Sequence, residues 1–154
     1  MARVRVLLAE DRQDTSRLLA AVLGAAGFQV ASVPHEVLVA PVLVAEEVRV
    51  VVASFAGRGV GATAALLREL RSRPEPVLRD ACVVAIVDDE VDAAFGIGTD
   101  ADAVLVRPVD AGELVDAVTE VAASWGRDRR RRAGTHHRST TPTTVPFGER
   151  QGFP

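Results

Sequence analysis

Five short apolar runs alternate with segments of helical periodicity. This alternation predicts an α/β protein: a doubly wound sheet of five parallel strands with helices on both faces. Two features of the runs support the parallel assignment. They are apolar nearly throughout instead of alternating with polar residues, as strands buried on both faces are. The first of them, within Val4–Asp11, ends abruptly in two carboxylates, Glu10 and Asp11. In open α/β sheets the carboxyl edge of the strands is where ligands gather.

Each element has its own signal. In Val4–Ala9, five of six residues are apolar and none is Gly or Pro. Asp14 or Thr15 is positioned to cap a first helix, whose stripe is Leu18, Leu19, Val22, Leu23 and Ala26, with Gly27 as the stop. Phe28–Val33 reads as the second strand. His35–Glu47 is apolar but carries Pro41, so it predicts a short or broken helix. Val48–Ser54 is the third strand. The loop Phe55–Gly61 holds three glycines, and Ala62–Ser72 is a helix ended by Pro74 and Pro76. Ala81–Val87 gives the fourth strand. Asp88–Gly98 is a weak helix candidate because of Gly96 and Gly98. Asp102–Val106 is the fifth strand, broken by Arg107-Pro108. Asp110 and Glu113 form a capping pair for a last amphipathic helix, with Ala111, Leu114, Val115, Val118, Val121, Ala122 and Trp125 on one face. A parallel sheet brings Asp11, Ser54, Ala85–Val87 and Arg107 to one edge.

The chain of 154 residues is long enough for one domain with a real core. Its longest apolar run, Val37–Ala45, is interrupted by Pro41 and too short to span a bilayer, and Met1–Leu8 lacks a signal-peptide core. Neither membrane insertion nor export is expected, and the single Cys82 excludes an internal disulfide and suits a cytoplasmic setting. Cys82 lies in an apolar run and reads as a packing residue.

The charge is unevenly divided. Residues 1–126 carry 19 acids against 11 arginines, a net of −8. Residues 127–154 carry 7 arginines against 2 acids, a net of +5, and the chain has no lysine. The composition shift sets the domain end at residue 126. Arg127–Pro154 has no periodic apolar face and reads as a disordered basic tail rich in Thr and Pro. Its cluster Arg127–Arg132 offers an anionic partner such as nucleic acid a binding site, against the plainer reading of a solvated tail. His136 and His137 are adjacent without supporting ligands and do not make a metal site.

Several short motifs occur in a fixed order: Val-Leu-Leu-Ala-Glu-Asp at 6–11, Gly-Phe-Gln-Val at 27–30, Leu-Leu-Arg-Glu-Leu-Arg at 66–71, Asp-Asp-Glu at 88–90, Ala-Asp-Ala-Val-Leu-Val-Arg-Pro at 101–108 and Glu-Leu at 113–114. From Val4 to Trp125 the chain resembles the receiver domain of bacterial two-component response regulators, the CheY-like domains. The resemblance implies a flavodoxin-like (βα)5 fold. It also implies a phosphoacceptor Asp at the end of the third strand and an acidic pair holding Mg²⁺. A hydroxyl residue after the fourth strand, an aromatic in the fifth, and a Lys before Pro, in a cis peptide bond, would relay the signal.

The match to that pattern is incomplete. Glu10 and Asp11 stand for the acidic pair. The phosphoacceptor position falls on Ser54, the hydroxyl position on Ala85 (Val87 if the strand is shifted), the aromatic on Val104 and the Lys on Arg107. Two carboxylates alone hold Mg²⁺ loosely, because it demands near-complete oxygen coordination. A Ser hydroxyl without an adjacent base is a poor nucleophile. Arg107 keeps the charge, and the simplest role for it is an ion pair with Glu10 or Asp11. The expected protein is therefore a degenerate receiver, or pseudo-receiver. It is not an enzyme and needs no cofactor beyond a loosely held Mg²⁺. It would bind a protein partner or itself through roughly Glu90–Ala122, without phosphorylation. The alternative is a stand-alone phosphoacceptor in a phosphorelay. A third reading rests on Gly57–Thr63, which resembles the phosphate loop of deviant Walker-type ATPases but has Ala62 where the motif needs Lys.

Overall fold

The structure, a computed structural model, describes residues 3–90 and 100–135, with side chains through Trp125. Five strands form one sheet: β1 (Arg5–Ala9), β2 (Gln29–Val33), β3 (Val50–Ala53), β4 (Cys82–Val87) and β5 (Ala103–Val106). All pairs are parallel and the order is β2-β1-β3-β4-β5. The doubly wound parallel sheet predicted from the alternation is thus present. The apolar runs explain why the central strands sit where they do. Val50–Ala53 and Cys82–Val87 are buried at every residue, so neither strand has a polar face to give to solvent.

The pleat divides the core between two layers. Leu7, Ala9, Val51, Ala53, Val83, Ala85 and Val87 join the layer containing Val39, Leu43, Leu66, Leu67 and Leu70. The intervening strand residues Val6, Leu8, Val50, Val52, Cys82, Val84 and Ile86 are also buried, as are Leu23, Leu114, Val118 and Val121. Cys82 Sγ donates to the Val121 carbonyl at 3.7 Å, so the thiol packs within this second layer as expected.

The helices differ from the sequence reading in detail. Helix α1 (Gln13–Ala25) starts after Arg12, with no side chain capping it; neither Asp14 nor Thr15 takes that role. The cap position is held by Arg12, whose side chain has no acceptor, and the Glu10 carboxylate accepts the Arg12 N–H at 2.8 Å. His35–Glu47 resolves into a 3₁₀ turn, Glu36–Leu38, and helix α2, Val39–Glu46. Pro41 falls in the first turn of α2, where its missing N–H costs no helical bond. Helix α3 (Val60–Ser72) begins two residues before Ala62 because Gly59, at φ +84, supplies the bend that starts it. Pro76 does more than end a helix: it opens a one-turn helix, α4 (Pro76–Arg79), that the sequence reading lacks.

The last helix, α5, is Ala111–Thr135. Its start is the expected capping box. Glu113 N–H donates to Asp110 Oδ1 at 2.8 Å, and Asp110 N–H to Glu113 Oε1 at 3.4 Å. Its backbone stays helical beyond residue 126, through Arg127–Arg132 to Thr135, so the disorder expected from Arg127 does not hold over those residues. The compact unit holding the sheet closes at Ala123. Most of the weak helix candidate Asp88–Gly98 lies outside the described residues, as do residues 136–154. No helix among the described residues is long and apolar enough to cross a membrane.

Candidate functional site

The carboxyl edge of the sheet brings together Glu10, Asp11, Ser54, Asp88 and Arg107. Three main-chain bonds prolong the strand ladders to this edge. Glu10 N–H donates to Val33 O at 3.1 Å, Ser54 N–H to Ala9 O at 2.9 Å and Arg107 N–H to Val87 O at 2.8 Å. The site is therefore built on strand ends whose positions the core fixes, as expected from the five apolar runs.

Glu10 is buried, only 2% exposed. Its carboxyl group accepts the Arg12 N–H and, through both oxygens, the Ala56 N–H at 3.0 and 3.2 Å. Asp11 beside it accepts the Gly57 N–H at 3.1 Å. Burial pushes the Asp11 carboxyl up, but the Glu10 side chain and the backbone N–H groups of Gly57, Asp11 and Arg58 together hold it below its ordinary value of 3.8. The approach is close enough that a Cβ on Gly57 would collide with Asp11 Oδ2. The acidic pair thus ties the loop after β3 to the end of β1, across 46 residues of sequence.

Arg107 does not go to either acid. The Arg107-Pro108 bond is cis, as the resemblance implies. The guanidinium, however, turns to the other side of the edge. Nη2 donates to the Ser54 carbonyl at 2.6 Å and to Ser54 Oγ at 2.8 Å, and Nη1 pairs with Asp88 Oδ1 at 2.9 Å. The ion pair expected with Glu10 or Asp11 is replaced for a physical reason. Both Glu10 oxygens and Asp11 Oδ1 already accept main-chain N–H groups, from Arg12, Ala56 and Gly57. Ser54 and Asp88 offer Arg107 acceptors at the ends of the two strands nearer to β5. Asp88 is the residue of this cluster that sequence reasoning missed; its sign was the acidic pair Asp88-Asp89 directly after a buried strand.

The two positions considered for the hydroxyl, Ala85 and Val87, are both buried and belong to the same core layer. Register pairs Ala53 with Ala85 and Ala85 with Val104, so Ala85 and Val104 lie one level below Ser54. Val104 is half-buried against the same layer. Among the described residues, no group of three His, Cys, Asp or Glu side chains is arranged to hold a metal ion. The phosphate-loop reading of Gly57–Thr63 meets an obstacle. The amides of Ala56 and Gly57 already bind carboxyl groups, and those groups face the loop where an anion would sit. Of the proposed partner surface Glu90–Ala122, residues 91–99 lie outside the described residues; the remainder includes β5 and the first turns of α5.

No protein-family model matches the sequence, and no curated protein sequence matches it. The fold is nevertheless widely shared. A CheY-like response regulator receiver domain from Methylobacillus flagellatus superposes with a TM-score of 0.64 at 18% identity, covering 80% of this chain and 99% of that one. A response regulator receiver domain protein from Clostridium thermocellum gives 0.66 at 16% identity, over 82% and 97%. NtrX from Brucella abortus, solved with ADP, gives 0.75 at 16% identity, over 94% of this chain and 32% of that longer one. The architecture is the flavodoxin-like receiver fold.

Proposed function

We propose that this protein is a pseudo-receiver: a non-enzymatic, phosphorylation-independent interaction module of bacterial two-component signalling, working in the cytoplasm. The observation that carries this reading is the Arg107–Ser54 contact. By resemblance, the end of β3 carries the carboxylate that accepts a phosphoryl group. Here it carries a Ser whose hydroxyl and carbonyl both face a fixed guanidinium. A hydroxyl held there by a cation has no base to take its proton.

The donor set also does not fit Mg²⁺. The cation takes near-octahedral oxygen ligation and keeps several waters. Both Glu10 oxygens and one Asp11 oxygen accept main-chain N–H groups, and the third carboxylate of the pattern is a Ser. The acidic pair is read as a loop tether, and no phosphoryl step runs through a metal at this edge.

With both the modification and its sensors missing, the domain has no route to a phosphorylation-driven population shift. Binding would then be set by the folded state itself, through roughly Glu90–Ala122. In this reading residues 1–126 are the binding domain and residues 127–154 a basic appendage.

The test is incubation with acetyl phosphate and Mg²⁺, read by intact mass, and with beryllofluoride, read by amide NMR shifts. No adduct and no shift at Ser54 or across Asp100–Ala122 is expected. A phosphoryl adduct with shifts reaching that surface would replace the pseudo-receiver by a phosphorelay component. Ser54→Asp is expected to restore slow modification at most, without a change in partner binding.

A further inference from the structure

Helix α5 changes character along its length. Its core face recurs at steps of three and four residues: Leu114, Val118, Val121 and Trp125, the first three fully buried. The next positions in that register are 128 and 132, and they hold Asp128 and Arg132. The apolar face therefore stops while the backbone helix runs on to Thr135. The compact unit holding the sheet likewise closes at Ala123. Beyond Trp125 the helix has charge where a core face would be.

That charge is dense and of one sign. Residues 127–132 hold five arginines against one acid, Asp128, a net of +4. Arginines at 127 and 131, and at 129 and 132, have the spacings at which like charges on a helix repel. An anionic partner relieves that repulsion. At about 100° per residue, the five arginines take register positions on every side of the axis, with no gap wider than about 100°.

This distribution selects among anions. A helix lying on an anionic membrane needs an apolar face opposite its basic one. Residues 126–135 leave no arc for such a face and contain no aromatic or large aliphatic residue. The same lack of aromatics removes the stacking platforms that hold single-stranded bases. In the major groove of B-DNA, about 12 Å wide, a helix has phosphates of both strands flanking it, and cations on every side of the axis suit that setting. The deep, narrow major groove of duplex RNA does not admit a helix in this way.

We propose that the basic end of α5 is a binding element for duplex DNA, held by phosphate contacts without sequence preference. The proposal goes beyond the receiver reading and does not rest on it. Residues 1–126, at −8, are repelled by the same phosphates, so the contact is confined to the basic segment and is weak.

The test is anisotropy of a labelled mixed-sequence duplex of about 20 base pairs, titrated with the full chain at several salt concentrations. Log affinity should fall against log salt with a slope of about −4.5, the value for five phosphate contacts. A second duplex of unrelated sequence should bind equally well. The full chain carrying Arg129→Gln, Arg130→Gln, Arg131→Gln and Arg132→Gln together keeps good helix formers at all four positions. It should bind about tenfold or more weakly, with a slope near −1 and an unchanged thermal midpoint. No binding at about 50 mM salt, a flat salt response, or a variant as tight as wild type overturns the proposal. So does tighter binding to the single strand, or to phosphatidylserine vesicles, than to the duplex.

Discussion

Two arginines close this sheet at opposite edges, with different kinds of partner. Arg71, at the end of α3, works below the start of β4 and β5. It donates to the carbonyls of Asp100 (3.0 and 2.7 Å), Arg79 (3.0 Å) and Ala81 (2.7 Å), and to Asp102 Oδ2 at 3.2 Å. Arg107, at the carboxyl edge, makes two of its three bonds to side chains, those of Ser54 and Asp88. Main-chain carbonyls are present whatever the sequence, so Arg71 recognises a backbone shape. Arg107 instead depends on which residues end β3 and follow β4. The first edge is held by the chain's shape, the second by the particular residues Ser54 and Asp88.

The largest effect should follow Arg71→Ala. It takes this donor from the two part-buried carbonyls of Asp100 and Ala81 and should cost about 2–3 kcal/mol of unfolding free energy. Urea denaturation measures this, and Arg71→Lys should recover only part, since an ammonium cannot span the same carbonyls. If Arg71→Ala unfolds at the wild-type midpoint, the contrast between the edges fails at its first term.

Next is Glu10→Gln. Its amide nitrogen would face a main-chain N–H from Ala56 or Arg12, so a loss of about 1–2 kcal/mol is expected in the same assay. Ser54→Ala should be milder, at about 1 kcal/mol or less, because Arg107 keeps the Ser54 carbonyl and Asp88. A Ser54→Ala loss larger than that of Glu10→Gln would mean that the Arg107 contact, and not the acidic tether, holds the site together.

The ranking also shows what the sequence could reveal. The five strands, the Asp110–Glu113 cap and the gathering of Glu10, Ser54 and Arg107 at one edge follow from apolar runs and caps, which are local signals. The partner of Arg107 was not legible. Opposite charge pointed to Glu10 or Asp11, but main-chain amides from Ala56 and Gly57 occupy both Glu10 oxygens and one of Asp11's, and every residue except Pro carries such an amide. Arg71 was invisible as a staple for the same reason: four of its five bonds go to carbonyls. Helix α4 was missed because Pro76 reads equally well as the stop of one helix and the first residue of another.

The smallest effect concerns pH. The Asp11 carboxyl is held below 3.8 in the folded protein. Its contribution is therefore fully present above the unfolded value and is lost as pH falls through the lower, folded one. Asp11→Asn should lower stability slightly near neutrality, where the ionised carboxylate contributes, and converge with wild type at the acid end, so that its profile falls less steeply with acid. An acid limb identical in wild type and Asp11→Asn would remove Asp11 from the tether.

That tether has a consequence for how the molecule breathes. The loop after β3 contains Gly57 and Arg58, both exposed, yet the Ala56 and Gly57 amides are bound to carboxyl groups rooted at the end of β1. Loops with free amides exchange their hydrogens at the rate of local fluctuation. Here the Ala56 amide can be released only by uncovering the Glu10 side chain, which lies within the sheet edge. Deuterium should therefore enter Ala56 on the timescale of strand separation and not of loop motion, so that a stretch of protein surface keeps time with the core.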